Sequence, residues 1–313
     1  MTATRNDLVS RPITGAGELD LFCALTYTLD HELADDLARG LRRPTWMWVA
    51  LRGGRLVARA AWWGSTDAAA PSLLDVLDIT DDTDRIDVGV HLLSAALSEI
   101  IPLGSRRPEY IRFIPPDWRD HVGSRQVVED RMAVVSRAGA QLVAERFRFE
   151  CRPGTPIAAP AGRVAFRAIA DDAEMVDVMA LVMDGTLDAH SRQDLARMSA
   201  RDSAVRHFEE ELARYRSPRQ WWRVATLPGG EPVGFVIPAR NNYGAIIGYL
   251  GVLPAHRGNG YINEILAEGT RILAAHNVPR IRASTDLGNV PMAEGFARAG
   301  WVNFERSISM TWD

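Results

Sequence analysis

The pattern best suited to chemistry is IIGYLGVLPAHRGNGYINEILAEGTRILAA, residues 246–275. An apolar strand turns at Pro254, Arg257-Gly258-Asn259-Gly260 follows, and Ile262, Ile265, Leu266, Ile272 and Leu273 then recur at helical spacing. A strand, a glycine turn and a helix in that order leave several backbone N–H groups free, with the positive end of the helix dipole behind them. This is an anion cradle, and phosphate is the expected guest. Two glycines in such a place also serve as an ordinary structural turn. A Walker-type ATP loop is disfavoured because no Lys followed by Ser or Thr comes after Gly260. The dinucleotide fingerprint fails for want of its third glycine.

The string V-L-P-A-H-R-G-N-G-Y-I resembles the acetyl-CoA signature of the GNAT acyltransferases, a strand ending V-x-P followed by Q/R-x-x-G-x-G/A. Arg257 and Gly260 stand at the first two fixed positions, and Ile262 at the third, where the family has Gly or Ala. Downstream, T-D-L-G-N-V-P-M-A-E-G-F-A-R-A-G-W resembles the family's second motif, with Asn289 and Met292 at its Asn and its small or Met position. The resemblance implies acetyl-CoA as cosubstrate and no metal. Its pyrophosphate would lie on Arg257, Gly258, Asn259, Gly260, Tyr261 and Ile262, near Asn289 and Met292. Its pantetheine arm would pair like an added strand with the backbone of Val252 and Leu253. Asn289 reads equally as a helix N-cap.

The implied reaction is N-acyl transfer by direct attack of an acceptor amine, with a small-molecule amine as the partner. The family's Tyr that protonates the departing thiolate falls at Phe296, which has no proton to give. Tyr249, Tyr261 and Tyr243 are possible replacements, or the thiolate, with a pKa of about 8.5, leaves unaided. For the base, Asp286 is the candidate, with a turn-forming Asp as its plain reading. The terminal carboxylate of Asp313 is another. On the acceptor side the resemblance directs attention to Trp221, Trp222 and His190, with Asp184 and Asp188. Solvated surface and core packing are the plain readings of these.

Composition sets the class. With 313 residues, 47% hydrophobic and 24% charged, the chain suits one large or two ordinary globular domains. The net charge of −4 disfavours a nucleic-acid surface and is compatible with a cationic substrate. All basic side chains are Arg, so the protein cannot acylate a lysine of its own. Two cysteines, Cys23 and Cys151, make no metal spacing and no disulfide framework. Residues 1–20 lack the apolar core of a signal peptide, and no run suggests a membrane span; a cytoplasmic location is expected.

Hydrophobic periodicity suggests one α/β plan used twice. In the first half a helix is predicted over Leu19 to Leu41, then a hairpin at Gly53-Gly54, a strand Leu73 to Ile79, a helix, a strand Tyr110 to Ile114, a helix, and a closing strand after Arg137-Ala138-Gly139. The second half repeats the hairpin at Gly229-Gly230 and the closing turn at Arg298-Ala299-Gly300 in the same order. The expected fold is α/β: two tandem GNAT-like units, each a mixed, mainly antiparallel sheet flanked by helices. Residues 1–151 would form a degenerate unit without a CoA loop, 152–162 a Pro/Gly/Ala linker, and 163–313 the acetyl-CoA-binding unit. The first unit has no glycine pair at the corresponding place, and five aspartates between Asp78 and Asp87 would repel phosphate. Two other classes stay open. One is a degenerate acyl-CoA-binding or regulatory module. The other is an aminoacyl-transferase of duplicated GNAT-like units using charged tRNA, for which no basic stripe is present.

Overall fold

The computed structural model describes residues 7–312. It divides into two compact units, one running through Val143 and including the segment from Ser307, the other running from Ala144 to Arg306. Compactness thus exchanges the closing strands relative to the division expected along the sequence. Asp313 lies outside the described residues.

The first unit begins with β1 (Leu8–Pro12), α1 (Leu19–Phe22) and α2 (Leu33–Ala38). The single helix expected over Leu19 to Leu41 is broken here. Tyr27 turns inward, its hydroxyl accepting the Phe113 N–H at 2.7 Å, while Asp30 caps the Tyr27 N–H at 2.8 Å. The chain continues as β2 (Met47–Arg52), β3 (Arg55–Trp63), β4 (Leu73–Ile79), α3 (Arg85–Ile100), β5 (Glu109–Ile114), α4 (Val122–Arg137) and β6 (Gln141–Cys151). Strands β1 to β4 pair antiparallel in succession, and β4 and β5 run parallel. Helices α3 and α4 bury Val88, Leu92, Leu93, Val128 and Val134 in the core that holds Trp62, Leu74 and Leu77.

The second unit repeats this order. It has β7 (Ala165–Ala168), α5 (Asp172–Val182), α6 (Ala189–Leu195), α7 (Ala200–Glu210), β8 (Arg223–Thr226) and β9 (Pro232–Arg240). Then follow β10 (Ala245–Val252), α8 (Tyr261–Ala274), β11 (Ile281–Asp286), α9 (Val290–Arg298) and β12 (Val302–Thr311), whose residues from Ser307 on count with the first unit. Its strand order is β6-β11-β10-β9-β8-β7. Pairing is antiparallel except between β10 and β11, and β6 pairs with β11 over six residues. Helix α8 lays Ile265, Leu266 and Leu273 onto Val236 and Ile247, as its spacing requires. Gly269 lets it come close, since a Cβ there would lie 2.6 Å from Val236. The segment 152–164 has no regular structure, as its proline and glycine content implies. No helix among the described residues is long and apolar enough to cross a membrane.

Candidate functional site

The glycine turn takes the form the sequence predicts. Gly258 and Gly260 both have left-handed backbones, φ 80° and 75°, and Gly260 is the residue before α8. No side chain caps that helix, and the Asn263 N–H turns back onto the Gly260 carbonyl at 3.1 Å, so the N–H groups ahead of it are left for a guest. The turn is braced from behind. Asn259 Nδ2 donates to the carbonyls of His256 and Arg257, and Arg163 donates to the Asn259 carbonyl at 2.8 Å. The Arg257 guanidinium does not face the cradle. It donates to the carbonyls of Val182 and Asp184 at 2.7 Å and of Val252 at 3.1 Å, tying the end of α5 to the end of β10. Ile262 turns its side chain away from the loop, toward α9, where Gly295 leaves room, the Ile262 methyl lying 3.9 Å from where a Cβ would be. A branched side chain at the family's Gly/Ala position therefore leaves the loop open.

Beside the turn, β10 and β11 diverge. They pair only at Ala245 with Ile281 and Ile246 with Arg282, although β10 continues to Val252. A β-bulge at Gly248 shifts the register of β10 on β9. The Leu253 N–H donates to Val233 at 2.8 Å and its carbonyl accepts from His256 at 2.9 Å. The Leu253 N–H is therefore not free for a pantetheine arm, a correction to the sequence expectation for that group, while the Leu253 and Val252 carbonyls, which accept from His256 and Arg257, each keep a second lone pair. By strand alternation Val252 and Leu250 face the opened side. Gly251 keeps this strand against α5: a Cβ there would lie 2.4 Å from Val182 Cγ1. Gly251→Ala is expected to cost about 1–3 kcal/mol by overpacking and to loosen the Val182 carbonyl that holds Arg257. Urea denaturation measures the loss, and an unchanged midpoint would contradict this contact.

Asp286 sits at the end of β11, only 6% exposed. One oxygen accepts from Arg146 Nε and the other from the Ala189 N–H at the start of α6, both at 2.6 Å. Both oxygens of this buried carboxylate are therefore engaged, one by a guanidinium and one by a backbone N–H. These contacts tie the end of β11 to Arg146 and to the start of α6, an arrangement that disfavours the base role expected of Asp286. Arg146 also donates to Asp188 at 2.6 Å and lies 3.0 Å from His190 Nδ1, so Asp286, Arg146, Asp188 and His190 form one cluster. Asp188 further caps α6 through the Ser191 N–H at 2.8 Å.

Burial pushes the Asp188 carboxyl up, but the Arg146 charge and the two Ser191 hydrogen bonds outweigh it and hold it below its ordinary value. A lowered folded-state value makes its contribution complete above the unfolded value of about 3.9 and lost as pH falls through the folded one. The hydrogen-exchange protection factor of the Ser191 amide is accordingly expected to fall on acidification below about pH 4. Equal protection at pH 3 and pH 6 would remove this assignment.

A second group of polar side chains lies over the Gly248 bulge. The Tyr215 ring covers it, 2.7 Å from where a Cβ would be, and the Tyr215 hydroxyl donates to Glu211 at 2.6 Å. His207 Nε2 lies 3.3 Å from the other Glu211 oxygen, and the His207 ring packs 5.2 Å from the Tyr249 ring. Burial and the Asp188 charge raise the Tyr249 phenol above its ordinary value. Protonation of a thiolate near 8.5 by such a phenol is uphill, which disfavours the acid role expected for Tyr249.

The remaining expected residues fall elsewhere. Trp222 is fully buried beneath Arg219, and Trp221 packs 4.3 Å from His276 past the far end of α8, ~20 Å from the glycine turn along the helix. Trp222 is a core residue and Trp221 a partly buried one packed against the core, placements that disfavour the acceptor role expected of them. Asn289 caps α9, its Oδ1 accepting the Met292 N–H at 3.4 Å, and Met292 and Phe296 lie in the core, Phe296 stacked 4.9 Å from Phe149. Tyr261 carries the Arg163 guanidinium 5.0 Å over its ring, and Tyr243 is exposed. An open recess of about 420 Å³ lies between α5 and α6, lined by Met183, Gly185, Thr186, Arg192, Leu195 and Ala196. No cluster of three potential metal ligands occurs among the described residues.

Residues 188–301 match the model of the Acetyltransferase (GNAT) family. This chain carries a GNAT domain. Solved structures share the two-unit fold over nearly all its length. A GCN5-related N-acetyltransferase from Sphaerobacter thermophilus superposes with a TM-score of 0.61 at 14% identity, covering 98% of this chain and 96% of that one. A tandem GNAT protein from the clavulanic acid biosynthesis pathway gives 0.51 at 18% identity, covering 97% and 98%. A GCN5-related glucosamine N-acetyltransferase region of a fungal multi-domain β-N-acetylglucosaminidase gives 0.58 at 14%, covering 97% of this chain and 38% of that one. At these identities the likeness is one of fold. No curated protein matches the sequence.

The first unit has the same divergence of strands as the GNAT domain, but it is filled. Strands β4 and β5 pair only at Leu73 with Glu109 and Leu74 with Tyr110. Arg112 then reaches from β5 across the gap, donating to the Leu77 carbonyl at 2.9 Å and to Asp78 at 3.0 Å, while Arg131 donates to the Ile79 carbonyl at 2.9 Å. At the matching register of β11 stands Ser284, small and exposed.

Proposed function

We propose that the protein is an acyl-CoA-dependent N-acyltransferase that transfers acetyl from acetyl-CoA to the amine of a small molecule by direct attack. The observation that carries the reading is the conjunction of the open β10 edge with the uncapped start of α8 in the second unit. An amide-rich pantetheine arm pairs with the Val252 side of β10 as an added strand, and the pyrophosphate takes the N–H groups of the turn. Backbone N–H groups along β10 polarise the thioester carbonyl. The residues that would hold acetyl-CoA are Val252, Gly258, Asn259, Gly260, Tyr261 and the Ile262 backbone. The recess between α5 and α6 is within the size range of small-molecule sites and borders the Asp188 cluster, since Thr186 lines it and its hydroxyl accepts the Asp188 N–H. The filled gap of the first unit supports one cofactor per chain. Calorimetry is expected to give one acetyl-CoA per chain, and thiol release against a panel of primary amines to identify the acceptor class. Two equivalents bound, or none, would overturn the reading.

A further inference from the structure

No motif of the sequence includes His207, Glu211 or Tyr215, yet these side chains gather where a bound thioester would lie. An arm laid along β10 from Val252 back to Gly248 spans four residue steps, ~13 Å, and so ends at the bulge. Tyr215 covers Gly248 there, and His207 packs on Tyr249, the next residue.

We propose that His207, held by Glu211, takes the proton from the acceptor's ammonium group above the Gly248 bulge, with Glu211 and Tyr215 as positioning residues. The proposal rests on the N-acyl transfer reading. Asp286 and Asp188 each have both oxygens engaged. The Glu211 carboxyl is held below its ordinary value, because His207, Tyr215 and Arg146 together outweigh the upward push of burial. Burial and the Glu211 charge raise the Tyr215 phenol well above its ordinary value, so it stays protonated and donates to Glu211. With the Nε2 proton directed at Glu211, neutral His207 carries its lone pair on Nδ1.

The charged groups around His207 favour an ammonium guest. Glu211 adjoins it on the same segment, and Tyr249 on β10 senses Asp188 and Arg257. Toward α5, Arg201 is paired with Asp177, and toward α6, Arg206 with Asp194, which neutralises both pairs. In the step, the ammonium gives one proton to His207 Nδ1, and the nitrogen lone pair forms the C–N bond at the thioester carbon. The C–S bond then breaks, the thiolate takes the second nitrogen proton, and His207 returns its proton to solvent. The products are the amide, CoA thiol and one proton. No tyrosine acid is needed, in keeping with the burial of Phe296.

The test uses the full-length protein, acetyl-CoA, and a panel of putrescine, tyramine, glucosamine, kanamycin and hydroxylamine. His207→Gln is expected to lower kcat for an alkylammonium acceptor about 100-fold or more at neutral pH. Affinity for acetyl-CoA by calorimetry should stay within about twofold, which also reports that the variant is folded. The loss should shrink as pH approaches the pKa of the amine, and be small for hydroxylamine, which is already neutral. Glu211→Gln should show the same pattern with a smaller loss. An unchanged rate and pH profile in His207→Gln would overturn the proposal, as would an equal loss for hydroxylamine. Bound acetyl-CoA with no thiol release to any amine of the panel would overturn it too. Absence of acetyl-CoA binding by the unaltered protein is the separate outcome that removes the N-acyl transfer reading itself.

Discussion

Gly260→Glu is expected to abolish acetyl-CoA binding and thiol release while leaving the fold in place. The position precedes α8 with φ 75°, so any L side chain there carries a left-handed backbone costing about 1–2 kcal/mol. Space is not the obstacle, since a Cβ would find only Asn263 Nδ2 at 3.6 Å and Arg163 at 3.9 Å. Charge is. A carboxylate at the start of the helix would occupy the N–H groups proposed for the pyrophosphate, and Arg163 stands close enough to hold it there. Gly260→Ala separates the two effects, with the same backbone strain and no charge. Calorimetry should show a modest loss for Ala and at least a hundredfold loss for Glu, with melting temperatures alike for the two. Binding by the Glu variant equal to that of the Ala variant would place the cofactor elsewhere.

The glycine turn was readable because its requirements are local. Positive φ at Gly258 and Gly260, an apolar strand before them and an amphipathic helix after them all leave marks in adjacent residues. The two-unit plan was readable for the same reason, from hairpin glycines and the order of periodic segments. What the sequence concealed depends on contacts between distant residues. Arg257 looks like a phosphate cation until the carbonyls at the end of α5 are seen around its guanidinium. Asp286 looks like a free carboxylate until Arg146 arrives from 140 residues away. Trp221 and Trp222 adjoin β8, but only the folded sheet puts them at the wrong end of α8. His207, Glu211 and Tyr215 left one local signal, their recurrence at intervals of four along α7 and the turn after it. Nothing nearby in sequence says that this face meets the bulge of β10.

Arg112→Met carries the largest expected stability cost and tests why the first unit keeps a GNAT-like sheet without an open cleft. Diverging parallel strands expose backbone carbonyls that a neighbouring strand would otherwise satisfy, and leaving them buried and unpaired is costly. In the second unit the proposed cofactor supplies partners to the β10 edge. In the first, Arg112 and Arg131 supply them to Leu77 and Ile79, and Asp78 is the carboxylate that pairs with both and with Arg59. Arg112 also lies 4.4 Å over the Tyr27 ring, which explains the broken helix around that residue. Burial works against its charge, but Asp78 outweighs this and holds the guanidinium above its ordinary value. Methionine would fill much of the space but leave the Leu77 carbonyl unpaired and one cation missing beside Asp78. Removing one partner from a buried ion pair costs about 3–5 kcal/mol, so chemical unfolding should show a loss of that order. Acetyl-CoA binding should persist at one per chain, because the cradle belongs to the second unit. A loss below about 1 kcal/mol would mean that water satisfies those carbonyls as well as the arginines do. A second equivalent of acetyl-CoA bound by Arg112→Met would mean that the arginine is a removable plug rather than a structural part of the sheet.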